Sequence, residues 1–329
     1  MSRPKSLAAN IIHSLGTNAL MIPLSFALNV IIARWLGPAG KGAYDLFLAT
    51  GTLLVTVVGF SLTSGIVYVA AFDGARLTSM LRWLSAILAV QAVLAWGAFE
   101  GVRWLGALPR FLSPDIGDGA ILLAVAYVLL TLSASYWRSV LVGRQDIVWA
   151  NRLVLLGRVI EVVIAVGLVL GVRQDALQAP AVRMLILAML AGAVVSNLFL
   201  IIRVRLRLPT VQGSTAGIGE VVRFSAPCFL GNLAQFLVYR LDIFLVGFFL
   251  GQQAVGLYAL ATSLAQLIWL PAQAAATVLL PNVASQQDAT ERNSDVTARI
   301  TRITLLACLV MALGPVSYTH LTLPTTERV

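Results

Sequence analysis

Charged side chains inside long apolar segments are the residues of this sequence whose chemistry most needs an explanation. Arg158 and Glu161 lie three residues apart in one segment, so a helix places them on one face, where they can pair. Arg240 and Asp242 lie two residues apart in another segment, about 200° apart around a helix, and cannot pair simply. A charge inside a membrane span costs about 2.5–3.5 kcal/mol on insertion scales. All four are therefore candidates for a transport pathway, with structural pairing as the alternative for Arg158 and Glu161.

Uncharged polar residues and one further arginine extend this set. Asn18, Ser25 and Asn29 follow one another at spacings of seven and four, which places them on one face of the first segment. Gln266 lies in the eighth segment, and Arg34 ends the first, where it is either a pathway residue or an anchor that reaches the interface. The polar face predicts interhelical hydrogen bonds of about 1 kcal/mol each, a polar cavity, or both.

The sequence shows none of the patterns that serve catalysis or metal binding. The two histidines, His13 and His320, have no nucleophile motif around them, and Cys228 and Cys308 are not spaced as metal ligands. It contains no glycine-rich phosphate loop and no pair of histidines at zinc spacing. We therefore expect no catalytic residue, no metal and no cofactor, and a protein that is not an enzyme.

The composition indicates a membrane protein. The chain has 329 residues, of which 59% are hydrophobic and 11% are charged, whereas a soluble domain carries about 25% charged residues. The formal net charge of +9 is better explained by arginines in cytoplasmic loops than by a nucleic-acid partner. We predict an all-α fold, a polytopic transmembrane helical bundle that contacts membrane lipid.

Nine apolar segments follow one another along the chain, most of them long enough to cross the hydrocarbon core of about 30 Å. They are predicted near residues 10–35, 44–72, 82–106, 117–142, 150–172, 181–203, 219–250, 255–285 and 299–314.

One short motif occurs twice, each time between two apolar segments. Leu36–Tyr44 and Leu250–Tyr258 both read L-G-x-x-x-x-G-x-Y, at an offset of 214 residues. The glycines suit positive φ angles in a short connection. Six spans separate the two copies, and because six is even, both copies of the motif begin on the same side of the membrane. This arrangement predicts two lobes that are parallel repeats of each other. Two similar helix hairpins arising by chance are the alternative.

The distribution of Lys and Arg predicts the orientation. Alternate connections hold 14 of these residues in one set and 6 in the other, and Lys41 is counted in the smaller set. By the positive-inside rule the larger set is cytoplasmic. The N-terminus is therefore predicted to face the cytoplasm.

The predicted lobes are unequal in length. The six-helix N-lobe covers residues 1–207. The truncated C-lobe covers residues 208–315 and contains two full spans and part of a third. The threonine-rich tail, residues 316–329, resembles translated adapter sequence, with a genuine polar C-terminus as the alternative. We predict that this tail is non-native and does not pack on the helices.

Two stretches carry a resemblance to a known family. Ala33–Tyr44 and Arg240–Gly251, the latter followed by Val255–Tyr258, resemble the motifs of bacterial polysaccharide biosynthesis (O-antigen) flippases. These belong to the multidrug, oligosaccharidyl-lipid and polysaccharide (MOP) exporter superfamily. The resemblance covers about residues 5–310. It places Arg34 in the loop motif, and Arg240 and Asp242 in the motif of the seventh span.

The resemblance implies a function as well as a fold. Such a flippase has two lobes around a central cavity and moves undecaprenyl-pyrophosphate-linked oligosaccharide across the bacterial inner membrane by alternating access. Further partners would be a polysaccharide polymerase and glycosyltransferases. The alternatives are a multidrug or cation-coupled exporter, which would place carboxylates in its cavity, a lipid II flippase, which would carry more basic residues in its first two spans, and a structural scaffold without a polar face.

Overall fold

The computed structural model describes most of the chain. It covers residues 7–72, 74–116, 119–171, 178–207, 217–269, 271–272, 275 and 297–313. Contacts group the chain into one unit, Gly16–Leu260, and a second unit formed by Met1–Leu15 and Ala261–Val329. The candidate site lies wholly within the first unit. The lobe boundary predicted between residues 207 and 208 stays a prediction.

The described residues form helices and turns, without a strand among them. The helices are α1 (Leu7–Gly59), α2 (Leu62–Phe72), α3 (Gly74–Trp104), α4 (Ala120–Gly143), α5 (Ile147–Gly171), α6 (Gln178–Arg207), α7 (Gly217–Leu250) and α8 (Gln252–Gln266). Single 3-10 turns occupy Leu108–Arg110, Pro114–Ile116 and Leu267–Trp269. The prediction of an all-α helical fold is confirmed.

Six helical stretches in the described part of the chain are long and apolar enough to cross a membrane. They are Leu20–Gly59, Trp83–Trp104, Ala120–Gly143, Ile147–Gly171, Ala181–Leu206 and Ile218–Leu250. The chain is therefore a multi-pass membrane protein, as its composition predicts.

The observed helices differ from the first two predicted segments in where they break. Within the expected loop of residues 36–43, Gly37 (φ 66°) is the single non-helical residue, and residues 38–43 already form the first turns of the next helical stretch. The second segment does not continue to residue 72 unbroken, because Phe60 (φ 45°) and Ser61 (φ 50°) have left-handed backbone conformations and end α1. Gly251 (φ 83°) provides the equivalent break between α7 and α8.

Small residues bring the helices of the first unit close together. Gly157 of α5 faces Ser196 of α6, and Gly192 of α6 faces the backbone of Glu161. A Cβ added at Gly51 of α1 would overlap the ring of Tyr127. Close packing of this kind is what holds membrane helices together, because lipid is as apolar as the helices themselves.

The C-terminal part of α1 and the whole of α2 run antiparallel to α7. Gly247 of α7 faces Leu46 of α1, and Asn232 Nδ2 donates to Ser61 Oγ over 2.9 Å. Further along, the rings of Tyr68 of α2 and Phe224 of α7 stack with centroids 4.6 Å apart. The pairing therefore extends along nearly the full length of α7.

The other unit contains the end of α8 and a further helix at residues 297–313. Within it, Cys308 Sγ donates to the carbonyl of Ile268 over 3.2 Å. Much of the eighth predicted segment, and all of the predicted tail 316–329, lie outside the described residues.

Candidate functional site

A cavity of about 380 Å³ lies between α1, α2, α4 and α7. Ligand sites commonly have volumes of about 300–1,000 Å³. Its lining residues are Thr52, Val55, Thr56 and Gly59 of α1, Ser61 and Thr63 at the start of α2, Leu132, Ser135 and Tyr136 of α4, and Asn232, Gln235, Phe236, Tyr239 and Arg240 of α7. Most of them carry a hydroxyl or an amide, so the cavity is a hydrogen-bonding surface inside an apolar bundle.

Helical spacing explains why these residues share one cavity. Thr52 and Thr56 lie one turn apart on α1, and Asn232, Phe236 and Arg240 follow each other at intervals of four on α7. Each group therefore forms a stripe on its own helix. Since α1 and α7 run antiparallel, the two stripes face each other across the cavity.

Among the described residues that line the cavity, Arg240 is the one that carries a charge. Its side chain is exposed, and no hydrogen bond or ion pair holds its guanidinium within the described part of the chain. A guanidinium presents five donors in a planar fork that suits phosphate oxygens. Within the described part of the chain, the cavity therefore offers a cation that no hydrogen bond or ion pair occupies, surrounded by neutral donors and acceptors.

Tyr136 accepts a hydrogen bond from Gln91, a residue that the sequence analysis did not name. Gln91 of α3 donates from Nε2 to Tyr136 Oη over 2.6 Å and to the carbonyl of Val58 over 3.0 Å. Gln91 thus fixes the position of the phenol group of Tyr136, a residue that lines the cavity.

Lys41 and Asp45 form an ion pair that the sequence analysis did not predict. Lys41 Nζ donates to both carboxylate oxygens of Asp45, one helical turn away on α1. The side chains are only 3% and 12% exposed, so placing Lys41 among the loop cations is wrong. The signal was present, since a Lys and an Asp at i and i+4 form a pair wherever the chain is helical.

Asp242 has partners of its own and is not among the lining residues. Its Oδ2 accepts from Tyr258 Oη of α8 over 2.5 Å, and its Oδ1 accepts from the backbone of Ile243 over 2.8 Å. The expectation that Arg240 and Asp242 occupy different faces and cannot pair is confirmed. The structure brings Arg240 to the cavity and Asp242 to the contact between α7 and α8.

Arg158 and Glu161 pair as predicted. Arg158 Nη1 lies 2.7 Å from Glu161 Oε2, with side chains 34% and 13% exposed. The pair lies on α5, where Glu161 packs against Gly192 of α6. Neither residue belongs to the cavity lining, which favours the structural interpretation of this pair.

The remaining predicted site residues are not brought to the cavity. Arg34 is exposed near the break at Gly37, and Asn29 is half-buried on α1. Gln266 is exposed at the end of α8 and belongs to the other unit. Their role in a pathway stays a prediction.

Close contacts flank the cavity at both of its ends along the axis of α7. At one end, the rings of Phe60 and Phe229 stack with centroids 4.8 Å apart. At the other end, Gly42 of α1 meets Gly256 of α8 so closely that an added Cβ on either would overlap backbone atoms of the other helix. On α1, the cavity-lining residues Thr52 to Gly59 therefore lie between Gly42 and Phe60, the residues that make these two contacts.

Comparison with solved structures defines the class of fold. The MATE multidrug transporter DinF-BH, solved as a complex, superposes with a TM-score of 0.68 at 12% identity, over 97% of this chain and 75% of its own. An inward-facing MATE transporter of the MOP superfamily gives 0.59 at 17% identity, over 93% and 71%. A MOP superfamily transporter from Pyrococcus furiosus gives 0.51 at 17% identity, over 96% and 72%. The fold is that of the MATE transporters.

Comparison by sequence defines the family. The family described as "Polysaccharide biosynthesis protein" matches residues 31–325. The chain belongs to this family, and family and fold together support a membrane transporter. A search of curated proteins found no sequence match.

Proposed function

We propose that the protein is a flippase that moves lipid-linked oligosaccharide across the bacterial inner membrane by alternating access. The observation that carries this proposal is the cavity in which, among the described lining residues, Arg240 is the one charge beside hydroxyl and amide side chains. In this assignment the carrier is undecaprenyl pyrophosphate and the product serves O-antigen, capsule or exopolysaccharide synthesis. The protein acts without chemistry on its cargo.

The chemistry of such a cargo matches the cavity in two respects. A pyrophosphate group needs a cation and further donors to leave water, and Arg240 with Gln235 and Asn232 places these on one helix. Sugar hydroxyls need neutral donors and acceptors, which Thr52, Thr56 and other lining residues provide. The polyprenyl tail can stay in the bilayer, so a cavity of modest volume is sufficient for the headgroup.

A multidrug exporter is the main alternative, and its support is the fold. DinF-BH is described as a multidrug transporter, whereas the Pyrococcus furiosus protein is described as having a binding pocket of reverse polarity that suggests a different function. A cation carrier needs a carboxylate in its cavity. The lining residues that the structure describes include an arginine and no carboxylate, which favours an anionic cargo.

The lipid II flippase and scaffold alternatives find less support. A lipid II flippase is expected to carry more basic residues in its first two spans, where the described part of this chain has Arg34 and Lys41, and Lys41 is paired with Asp45. A scaffold would have no reason to retain a polar cavity with an unpaired arginine.

The location and partners follow from this proposal. We place the protein in the inner membrane with the N-terminus in the cytoplasm, where the loops richest in arginine lie. A polysaccharide polymerase and glycosyltransferases would use or supply its cargo. The pathway would include Arg240, which lines the cavity, and by prediction from the sequence Arg34 and Asn29 of α1.

Complementation in cells tests the proposal. A full-length homologue with the same seventh-span motif is expressed in a bacterium that lacks its own flippase, and surface polysaccharide is measured by gel and immunoblot. We expect polysaccharide to be restored by the unchanged protein and by the equivalent of Arg223→Ala, and lost with the equivalent of Arg240→Ala. Arg223 is the matched control, because it is an exposed arginine of the same helix outside the cavity. Full polysaccharide from a well-expressed Arg240→Ala equivalent would contradict the proposal.

A further inference from the structure

The Lys41–Asp45 pair occupies a particular place on α1. Lys41, Asp45, Thr52 and Thr56 follow at intervals of four, seven and four, so they lie on one face of the helix. The last two line the cavity. The first two adjoin Gly42, the residue that contacts Gly256 of α8. On α1, the pair therefore lies beside the contact with α8 and precedes the cavity-lining threonines.

The charges of the pair act on the cavity. The pair lies on the face of α1 whose following turns carry Thr52 and Thr56 of the cavity lining. Arg240 of α7 acts on both of its charges, though less strongly than burial and the attraction within the pair do. Because the pair is almost completely buried, its charges are screened much less than charges on a surface. An anion bound at Arg240 thus experiences two cations and one carboxylate rather than a single arginine.

A transporter needs a binding site that attracts its cargo and also releases it. The same compromise governs ion pathways, where binding must be favourable enough for entry and weak enough for exit. Arg240 and Lys41 without a counter-charge would hold a pyrophosphate group strongly. Asp45 is the acidic group that the structure pairs with Lys41, and Arg240 lies close enough to act on its charge.

We propose that Asp45 sets the affinity of the cavity for anions, by neutralising Lys41 and weakening the field that Arg240 presents to a pyrophosphate group. This inference rests on the proposed function. Asp45 is in this view a residue that tunes affinity through Arg240 and Lys41 and does not itself touch the cargo. Lys41 supplies the second cation, whose effect Asp45 cancels.

Equilibrium binding of inorganic pyrophosphate tests the inference. The full chain is purified in nanodiscs of zwitterionic phosphatidylcholine, which avoids competition from anionic lipid, and Kd is measured by calorimetry. We expect Asp45→Asn to lower Kd roughly tenfold and Lys41→Met to raise it roughly tenfold, since each leaves one charge uncompensated at low effective dielectric constant. The double variant K41M/D45L removes equal and opposite charges, so its Kd should stay within about threefold of the unchanged protein.

Arg240→Ala separates this inference from the proposed function. If Arg240→Ala abolishes pyrophosphate binding while Asp45→Asn and Lys41→Met both bind as the unchanged protein does, the inference is overturned and the proposed function stands. If Arg240→Ala binds normally, the proposed function fails and the inference fails with it. If Asp45→Asn does not yield a monodisperse protein, Lys41→Met and the double variant decide the question. A raised Kd for Lys41→Met together with a near-normal Kd for the double variant supports the inference. Equal Kd values for these two variants contradict it.

Discussion

Gly42 and Gly256 contact each other at equivalent positions of the repeated motif. A Cβ on Gly42 would overlap the carbonyl oxygen of Gln252, and a Cβ on Gly256 would overlap the carbonyl oxygen of Pro38. Gln252 and Pro38 are themselves equivalent at the offset of 214 residues. The contact is therefore reciprocal, as in a two-fold symmetric interface, which supports an internal duplication.

Gly42→Ala should destabilise the protein markedly. The new methyl group has no space beside the α8 backbone, and overpacking of this kind costs about 1–3 kcal/mol. Thermal unfolding in detergent, followed by tryptophan fluorescence, measures the change. Gly167→Ala is the matched control, because nothing lies within 4 Å of its added Cβ. Equal melting temperatures for the two variants would show that the helices separate easily at Gly42.

Tyr258→Phe should weaken the attachment of α8 to α7. The variant removes the hydroxyl that donates to Asp242, and a hydrogen bond to a charged group is worth about 1.5–3 kcal/mol. Asp242→Asn keeps an acceptor for the same hydroxyl and should cost less. Melting temperatures of both variants, measured together, check this order. A larger loss from Asp242→Asn than from Tyr258→Phe would argue for a role of the carboxylate beyond holding Tyr258.

Arg158→Glu and Glu161→Arg should each destabilise the protein, and their combination should restore much of its stability. Either single change brings two like charges together on one face of α5, whereas the double change recreates the pair with reversed polarity. Double-mutant analysis of unfolding free energies measures the coupling. Additive losses from the two changes would show that the observed pair contributes nothing to stability.

Impermeant thiol labelling should confirm the predicted orientation. Cysteines at Arg144 and Arg205 should be protected in intact spheroplasts, and a cysteine at Gln253 should react, after Cys228 and Cys308 are replaced by serine. All three target side chains are exposed, so burial within the protein does not explain protection. The reverse labelling pattern would overturn the assignment of a cytoplasmic N-terminus.

Composition and charge predicted the helical membrane fold, because long apolar segments with few charges can form little else in a bilayer. The glycine motif predicted the breaks between helices only in part. Gly37 and Gly251 have the expected positive φ values. Gly42 and Gly256 instead allow two helices to approach, a role that depends on a partner more than 200 residues away in the sequence and cannot be read from local spacing.

The candidate site, like the helix breaks, could be predicted from the sequence only in part. The cost of a charge inside a span singled out four residues, of which Arg240 lines the polar cavity, and its role in transport stays a prediction. Gln91, Ser135 and Tyr136 were missed, because single polar residues on apolar helices gain meaning only when packing shows which faces meet. Lys41 and Asp45 were missed for a different reason, since the glycines around them suggested a loop where the chain is already helical.

Binding of farnesyl pyrophosphate, a short polyprenyl pyrophosphate, tests the central claim most directly. The purified chain in phosphatidylcholine nanodiscs is compared with Arg240→Ala and with Arg223→Ala, the exposed arginine of the same helix. We predict saturable binding that Arg240→Ala weakens by about ten- to a hundredfold, the loss of one or two charge-assisted hydrogen bonds, and that Arg223→Ala leaves within about twofold. Equal affinity of all three proteins, or preferential binding of a lipophilic cation such as tetraphenylphosphonium, would contradict a cavity built for an anionic lipid headgroup.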